Sequence, residues 1–223
     1  MAVKGVVVDF DFAAMDGAGL LFDVARRLLG DLDRIPLDEV SEARLLVGND
    51  MQQGLSALFR QAKTKKTAAK AAKDLAAAFV AALDQRVPSE MAKQGFRKFV
   101  NALADKGVKV VVVTRALSPL VDVAFAGSVG DVASLQRGSS SVYGGVAWDF
   151  WRRAAVVAKM ATAPVLAVTG SASGVKAALK AGVGSVAVVR PRQAYQDFGG
   201  ADAVVGDLNA AAAKAVLGVF GVK

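Results

Sequence analysis

Two aspartates two residues apart, Asp9 and Asp11, close the run VVVDFD near the start of the chain. Val6–Val8 is a β-branched run of strand type, so the pair falls at the carboxyl end of a strand, where ligands of parallel sheets gather. Two negative charges at such a place are costly unless a cation or a proton offsets them. One chemistry that uses the pair is nucleophilic attack on phosphorus by Asp9, with Asp11 moving the leaving group's proton. A magnesium ion would neutralise the charge and hold the phosphate, with Asp9 and Asp11 as its ligands. The structural alternative is a strand-to-turn junction in which aspartate caps the loop. A second polar strand end, Thr114-Arg115 after Val108–Val113, offers a hydroxyl and a guanidinium suited to phosphate oxygens. On local grounds Thr114 is equally well explained as the N-cap of a following helix.

The elements that must position these groups form an alternating pattern. Short apolar runs at Val6–Val8, Val108–Val113, Val165–Val168, Ser185–Val189 and Ala201–Val205, with a weaker one at Val132–Leu135, each end at a polar or glycine position. Near-continuous apolar strands separated by helical stretches indicate a parallel sheet covered on both faces. The alternation is interrupted between about Ala18 and Gln85, where no convincing strand occurs. There Leu20, Leu21, Val24, Leu28 and Leu29 make one helical face, Leu55, Leu58 and Phe59 mark a second helix, and Ala68 to Leu83 is alanine-rich. The expected organisation is an α/β core over residues 1–17 and 86–223 with a helical cap over 18–85. Pro88 and Ser89 are expected to open a helix through Phe96, Phe99, Val100 and Leu103 that ends at Gly107.

Composition narrows the chemistry further. The chain has 223 residues, no cysteine and no histidine, which excludes disulfides, thiolate or imidazole metal sites, and nucleophile systems that need histidine. Any acid–base work rests on carboxylates, Lys or Tyr. A net charge of +8 favours anionic partners without choosing among them. No apolar run reaches the roughly 18 residues that span a bilayer, and the start MAVKGVVVDFDF has no recognisable signal or transit peptide. The expectation is therefore a cytoplasmic protein with no membrane partner.

Taken in order, these fragments resemble the haloacid dehalogenase superfamily, in the phosphatase-like branch whose helical cap is inserted after the first strand. The resemblance covers nearly the whole chain. It implies a Rossmann-like parallel core, a nucleophile at Asp9, an acid/base at Asp11, a phosphate-binding hydroxyl at Thr114 and a magnesium cofactor; Asp16 matches an acidic position that often follows. The segment VLAVTGSASGVKAALKAG, Val165 to Gly182, resembles the fourth motif of that family, and GSVAVV and GGADAVVGDL its last two strands.

The pattern also departs from the family. Gly170 stands where the fourth motif places a metal-binding acid, and Gly174 at the later position. Gly145-Val146 aligns with the third-motif lysine, and Phe12 and Ala13 replace the usual small and β-branched residues. Arg152, Arg153 and Lys159 are out of register for the lysine and read as surface groups. Val204 to Asn209 contains an acid, Asp207, but using it as the fourth motif would leave the preceding strands unassigned. The loop Gly170–Gly174 could hold an anion on free N–H groups, although a small-residue turn packed on the sheet is the better reading. Arg137–Gly145 is the most loop-like stretch. Trp148, Phe150 and Trp151 read as a core-packing helix.

The functional expectation is a degenerate member of the family, with weak or lost phosphatase activity and a binding or structural role. The alternative is an active magnesium-dependent phosphatase that acts on a small phosphate ester through an aspartyl-phosphate on Asp9. Partners would be a small phosphorylated metabolite, or an acidic protein or nucleic acid meeting the basic stretch Arg60, Lys63, Lys65, Lys66, Lys70 and Lys73. A solvated helix and turn explains that stretch better, since no aromatic residues interleave with it.

Overall fold

The computed structural model describes residues 4–30, 37–64, 67–91, 94–116, 131–132, 149–157, 159–160 and 164–222. Among the described residues six parallel strands form one sheet: β1 (Lys4–Asp9), β2 (Val108–Val113), β3 (Asp131–Val132), β4 (Val165–Thr169), β5 (Gly184–Val188) and β6 (Ala203–Val205), in the spatial order β3-β2-β1-β4-β5-β6. The chain therefore builds outward from β1 on one side, then returns to its other side at β4. Such a reversal opens a crevice beyond the carboxyl ends of the central strands, which is where the polar strand ends fall.

The strands β1, β2, β4 and β5 are largely apolar on both faces because both faces are covered. Val6 and Val8 point into a core shared with Phe99, Val100, Leu103, Val112, Val168, Val186 and Val216. Val7 points the other way, to Val111, Val113, Ala167, Trp151, Ala154 and Ala178. The period-2 alternation of a strand thus serves two layers at once. One layer uses α5 (Gln94–Ala104) and α8 (Ala210–Val219); the other uses α6 (Phe150–Val157) and α7 (Ala172–Lys180). Trp151 is fully buried and its indole N–H donates to the Gly174 carbonyl at 2.9 Å, which bears out its reading as a packing residue.

Between β1 and β2 the chain runs through α1 (Gly17–Gly30), α2 (Glu39–Leu45), α3 (Met51–Gln61) and α4 (Ala68–Met91) before α5. Among the described residues no strand occurs in this block, as expected. Its apolar side chains, including Leu21, Leu46, Leu55, Leu58, Leu75, Phe79 and Leu83, belong to the same cluster as the β1 face, so the helices are packed onto the sheet layer without a break. Two local expectations differ. Leu28 is 41% exposed, because the buried face of α1 runs through Leu21, Val24, Ala25 and Leu29 and leaves position 28 with the arginines. No helix opens at Pro88, since the alanine-rich α4, with high summed helix propensity, runs through that position to Met91, and α5 spans Gln94–Ala104. No helix among the described residues is long and apolar enough to cross a membrane. Leu135, Arg137–Gly145, Val146 and Trp148 lie outside the described residues.

Candidate strand-end site

Parallel pairing sets Asp9 beside Val113, so Thr114 and Arg115 emerge at the level of the residues that follow Asp9. Directly after Asp9 the backbone makes a five-residue π-turn, Phe10–Ala14, closed by the Met15 N–H to the Phe10 carbonyl at 3.0 Å. Single π-turns are rare and concentrate at functional sites. Here the turn folds Asp11 back over the strand ends, while Phe10 packs edge-on against Phe96 and Phe12 stacks on Phe79 of α4.

The four residues singled out from the sequence meet in this place. Thr114 Oγ1 donates to Asp11 Oδ1 at 2.6 Å, and the Arg115 backbone N–H donates to Asp11 Oδ2 at 2.8 Å. One guanidinium nitrogen, Arg115 Nη1, lies 3.0 Å from Asp9 Oδ1 and 3.0 Å from Asp11 Oδ2. The guanidinium also sits 5.0 Å from the centre of the Phe12 ring, a cation–π distance. Asp9 is 1% exposed and Asp11 0%, so this is a buried ionic cluster rather than an open acidic pocket. Thr114 Oγ1 accepts the Ala116 N–H at 3.1 Å, a local turn that fixes the hydroxyl toward Asp11.

Chemically, Asp11 accepts from three donors, and Asp9 is ion-paired to a fixed cation. Whether a divalent ion fits depends on the donors available. Magnesium requires octahedral oxygen ligation at roughly 2.0–2.1 Å. Among the described residues no group of three acidic side chains converges that could hold a metal. At Gly170, a Cβ would collide with the Phe12 carbonyl oxygen and lie 2.5 Å from Gln193 Nε2. At Gly174 a Cβ would collide with Thr169 Oγ1 and lie 3.0 Å from Ser171 Oγ. Neither position has room for the acid that the resemblance places there. The described donor set therefore does not fit a magnesium ion.

The loop Gly170–Gly174 is the packed turn preferred from the sequence. Ser171 caps α7 by accepting the Gly174 N–H at 3.2 Å, Gln196 Oε1 accepts the Ala172 N–H at 2.8 Å, and Ser173 Oγ donates to the Gly48 carbonyl. Asp16 is exposed and caps α1 through the Gly19 N–H at 2.9 Å. Asp207 is an exposed partner of Arg190, 2.6 Å from Nη2, and takes no part in the cluster.

Arg190 and Gln193 are the supporting residues that sequence reasoning did not single out. Arg190 follows β5 and its guanidinium donates to the carbonyls of Ala13 at 2.9 Å and Met15 at 3.1 Å, at the end of the π-turn where peptide carbonyls lack helical partners. Gln193 Nε2 donates to the Phe12 carbonyl at 2.8 Å. The only signal in the sequence was an arginine at a strand end in the sheet's carboxyl-side crevice.

The geometry defines a haloacid dehalogenase-like fold. The sequence itself matches no protein-family model and no curated protein. Among solved structures, a phosphonoacetaldehyde hydrolase-like protein from Oleispira antarctica superposes with a TM-score of 0.65 at 15% identity, covering 99% of this chain and 91% of that one. CbbY from Rhodobacter sphaeroides, solved in complex with phosphate, gives 0.61 at 17% identity over 92% and 95%. A protein described as a haloacid dehalogenase-like hydrolase from Bacteroides fragilis gives 0.60 at 13% identity over 92% and 98%. These likenesses establish the fold that the strand-end motifs pointed to.

Proposed function

We propose that this chain is a degenerate haloacid dehalogenase-like protein, with weak or lost phosphatase activity and a binding or structural role. The observation that carries this reading is the approach of Gly170 to the Phe12 carbonyl and Gln193, which leaves no space for a metal-binding carboxylate at the fourth-motif position. Burial of Asp9 supports it, because an in-line attack on phosphorus needs the substrate within contact of that oxygen. Residues 18–85 are read as the cap over this centre. CbbY structures hold phosphate and xylulose-(1,5)-bisphosphate, and a small phosphorylated metabolite is accordingly the ligand class we assign. The exposed Arg60, Lys63, Lys70 and Lys73 favour an anionic macromolecule as the competing partner.

The second reading, an active magnesium-dependent phosphatase, rests on the retention of Asp9, Asp11 and Thr114 in one cluster. An aryl phosphate and a panel of sugar and nucleoside phosphates, assayed with and without magnesium against Asp9→Asn, separate the two. The expected result is wild-type turnover at or only slightly above the background set by the variant. Robust magnesium-dependent turnover that Asp9→Asn abolishes would establish the phosphatase instead.

A further inference from the structure

We propose that Arg115 is the resident cation of the strand-end site, so that its guanidinium stands in place of a divalent metal ion between Asp9 and Asp11. The inference rests on the reading of this centre as a phosphatase-like one, and it concerns which cation the centre holds rather than what the centre turns over.

Three features lead to it. First, two carboxylates at 1% and 0% exposure are costly unless a cation or a proton offsets them, and a guanidinium, which is not deprotonated in proteins, supplies a permanent positive charge in contact with both. A single nitrogen of Arg115 serves both carboxylates at 3.0 Å. Second, Arg115 is held there by more than attraction. Its own backbone N–H grips Asp11 Oδ2, the same oxygen its side chain contacts, so main chain and side chain close a ring around one acceptor. The guanidinium also lies over the Phe12 ring, and the side chain is 8% exposed. Third, a metal ion would compete for oxygens that already accept N–H and O–H donors. The acid that would complete its shell has no space at Gly170. An arginine tethered by the strand that leads into Thr114 needs neither a third carboxylate nor water ligands.

The test uses the full chain and two metal probes, magnesium and manganese chloride, read by calorimetry and thermal unfolding. Wild type is expected to give no saturable heat and no shift in Tm, with or without EDTA. Arg115→Gln in EDTA is expected to lose roughly 10 °C in Tm, the consequence of uncompensated buried carboxylates. Adding Asp9→Asn to Arg115→Gln is expected to restore part of that loss by removing one of the charges. Arg115→Lys, which keeps the charge and loses the planar fork, is expected to fall between wild type and Arg115→Gln. Saturable metal binding by wild type that Asp9→Asn abolishes would overturn the proposal, and that measurement does not depend on any arginine variant folding. So would an Arg115→Gln protein as stable as wild type. Turnover of a phosphate ester without metal would defeat the degenerate reading while leaving this inference intact.

Discussion

Among the described residues carboxylates are buried in two places, and they meet opposite surroundings. At the strand ends Asp9 and Asp11 meet donors aimed at them: the Arg115 guanidinium, the Arg115 N–H and the Thr114 hydroxyl. In α2, Glu42 is 0% exposed, yet neither of its carboxylate oxygens has a hydrogen-bond partner among the described residues. Burial pushes the Glu42 carboxyl up to about 8; the positive charge of Arg192 works against this, and the negative charges of Asp16, Glu39 and Asp23 reinforce it. An arginine is thus near both sites. The difference lies in where it is directed: Arg192 stacks over the Phe22 ring at 4.6 Å and turns its Nε toward Glu39, 3.7 Å away. A charge in the neighbourhood does not by itself offset the desolvation that raises the Glu42 carboxyl. One site thus meets its carboxylates with a guanidinium and directed N–H and O–H donors, whereas the other leaves its carboxyl to be raised by burial.

The largest expected effect breaks the first arrangement. Arg115→Ala should cost about 3–5 kcal/mol in a denaturant titration, because it strands two buried carboxylates. A loss under about 1 kcal/mol would mean that solvent or another group already compensates them.

Next comes the pH response of the second site. In the folded chain the Glu42 proton is held to about pH 8, whereas the unfolded chain releases it near the ordinary glutamate value of 4.5. The folded state therefore binds more protons between these values, and stability falls as pH rises through that window, then levels off above about 8. Between pH 5 and 8 the decline should be on the order of 3 kcal/mol. Melting curves across that range, compared with Glu42→Gln, measure it. The variant should lose the Glu42 share of the slope, and identical slopes would refute protonation as the device.

Two smaller changes grade the role of aimed donors. Thr114→Val removes one hydrogen bond to Asp11 and should destabilise by about 2 kcal/mol, the usual scale for bonds to charged groups. Asp207→Asn, by contrast, weakens an ion pair whose acidic partner is 61% exposed. Its stability should fall within about 1 kcal/mol of wild type, and the difference should shrink with added salt. If the two variants proved equal, burial would not be what separates these contacts.

Much of the scaffold is legible in the order of residues alone. The valine-rich runs around Val6–Val8, Val108–Val113 and Val165–Val168 identify buried parallel strands, because only strands covered on both faces are apolar at every position. The polar residues that end those runs identify the crevice side, which is why the sequence groups Asp9, Asp11, Thr114 and Arg115. It does not reveal Glu42. An acid within EVSEARL has the spacing of a solvated helical face, and only the packing of α2 against α1 and the 191–195 turn makes that position interior. Leu28 fails in the reverse sense, since a leucine adjoining an apolar stripe is buried only if a neighbour covers that angle of the helix. Arg190 is invisible for a third reason: its partners are backbone carbonyls of a π-turn that no local pattern announces.

The sequence by itself therefore determined the layers of this protein and the end of the sheet where its polar groups collect, because strand period and apolar runs are local properties. It also determined that no acid stands at position 170. Only the tertiary structure decided what those polar groups do to one another. It turned Arg115 from an available phosphate ligand into the partner of Asp9 and Asp11. It also pressed Gly170 against Phe12, where a larger residue would not fit. Both outcomes depend on distances between segments about a hundred residues or more apart in the chain, and such distances are set by packing rather than by any spacing in the sequence.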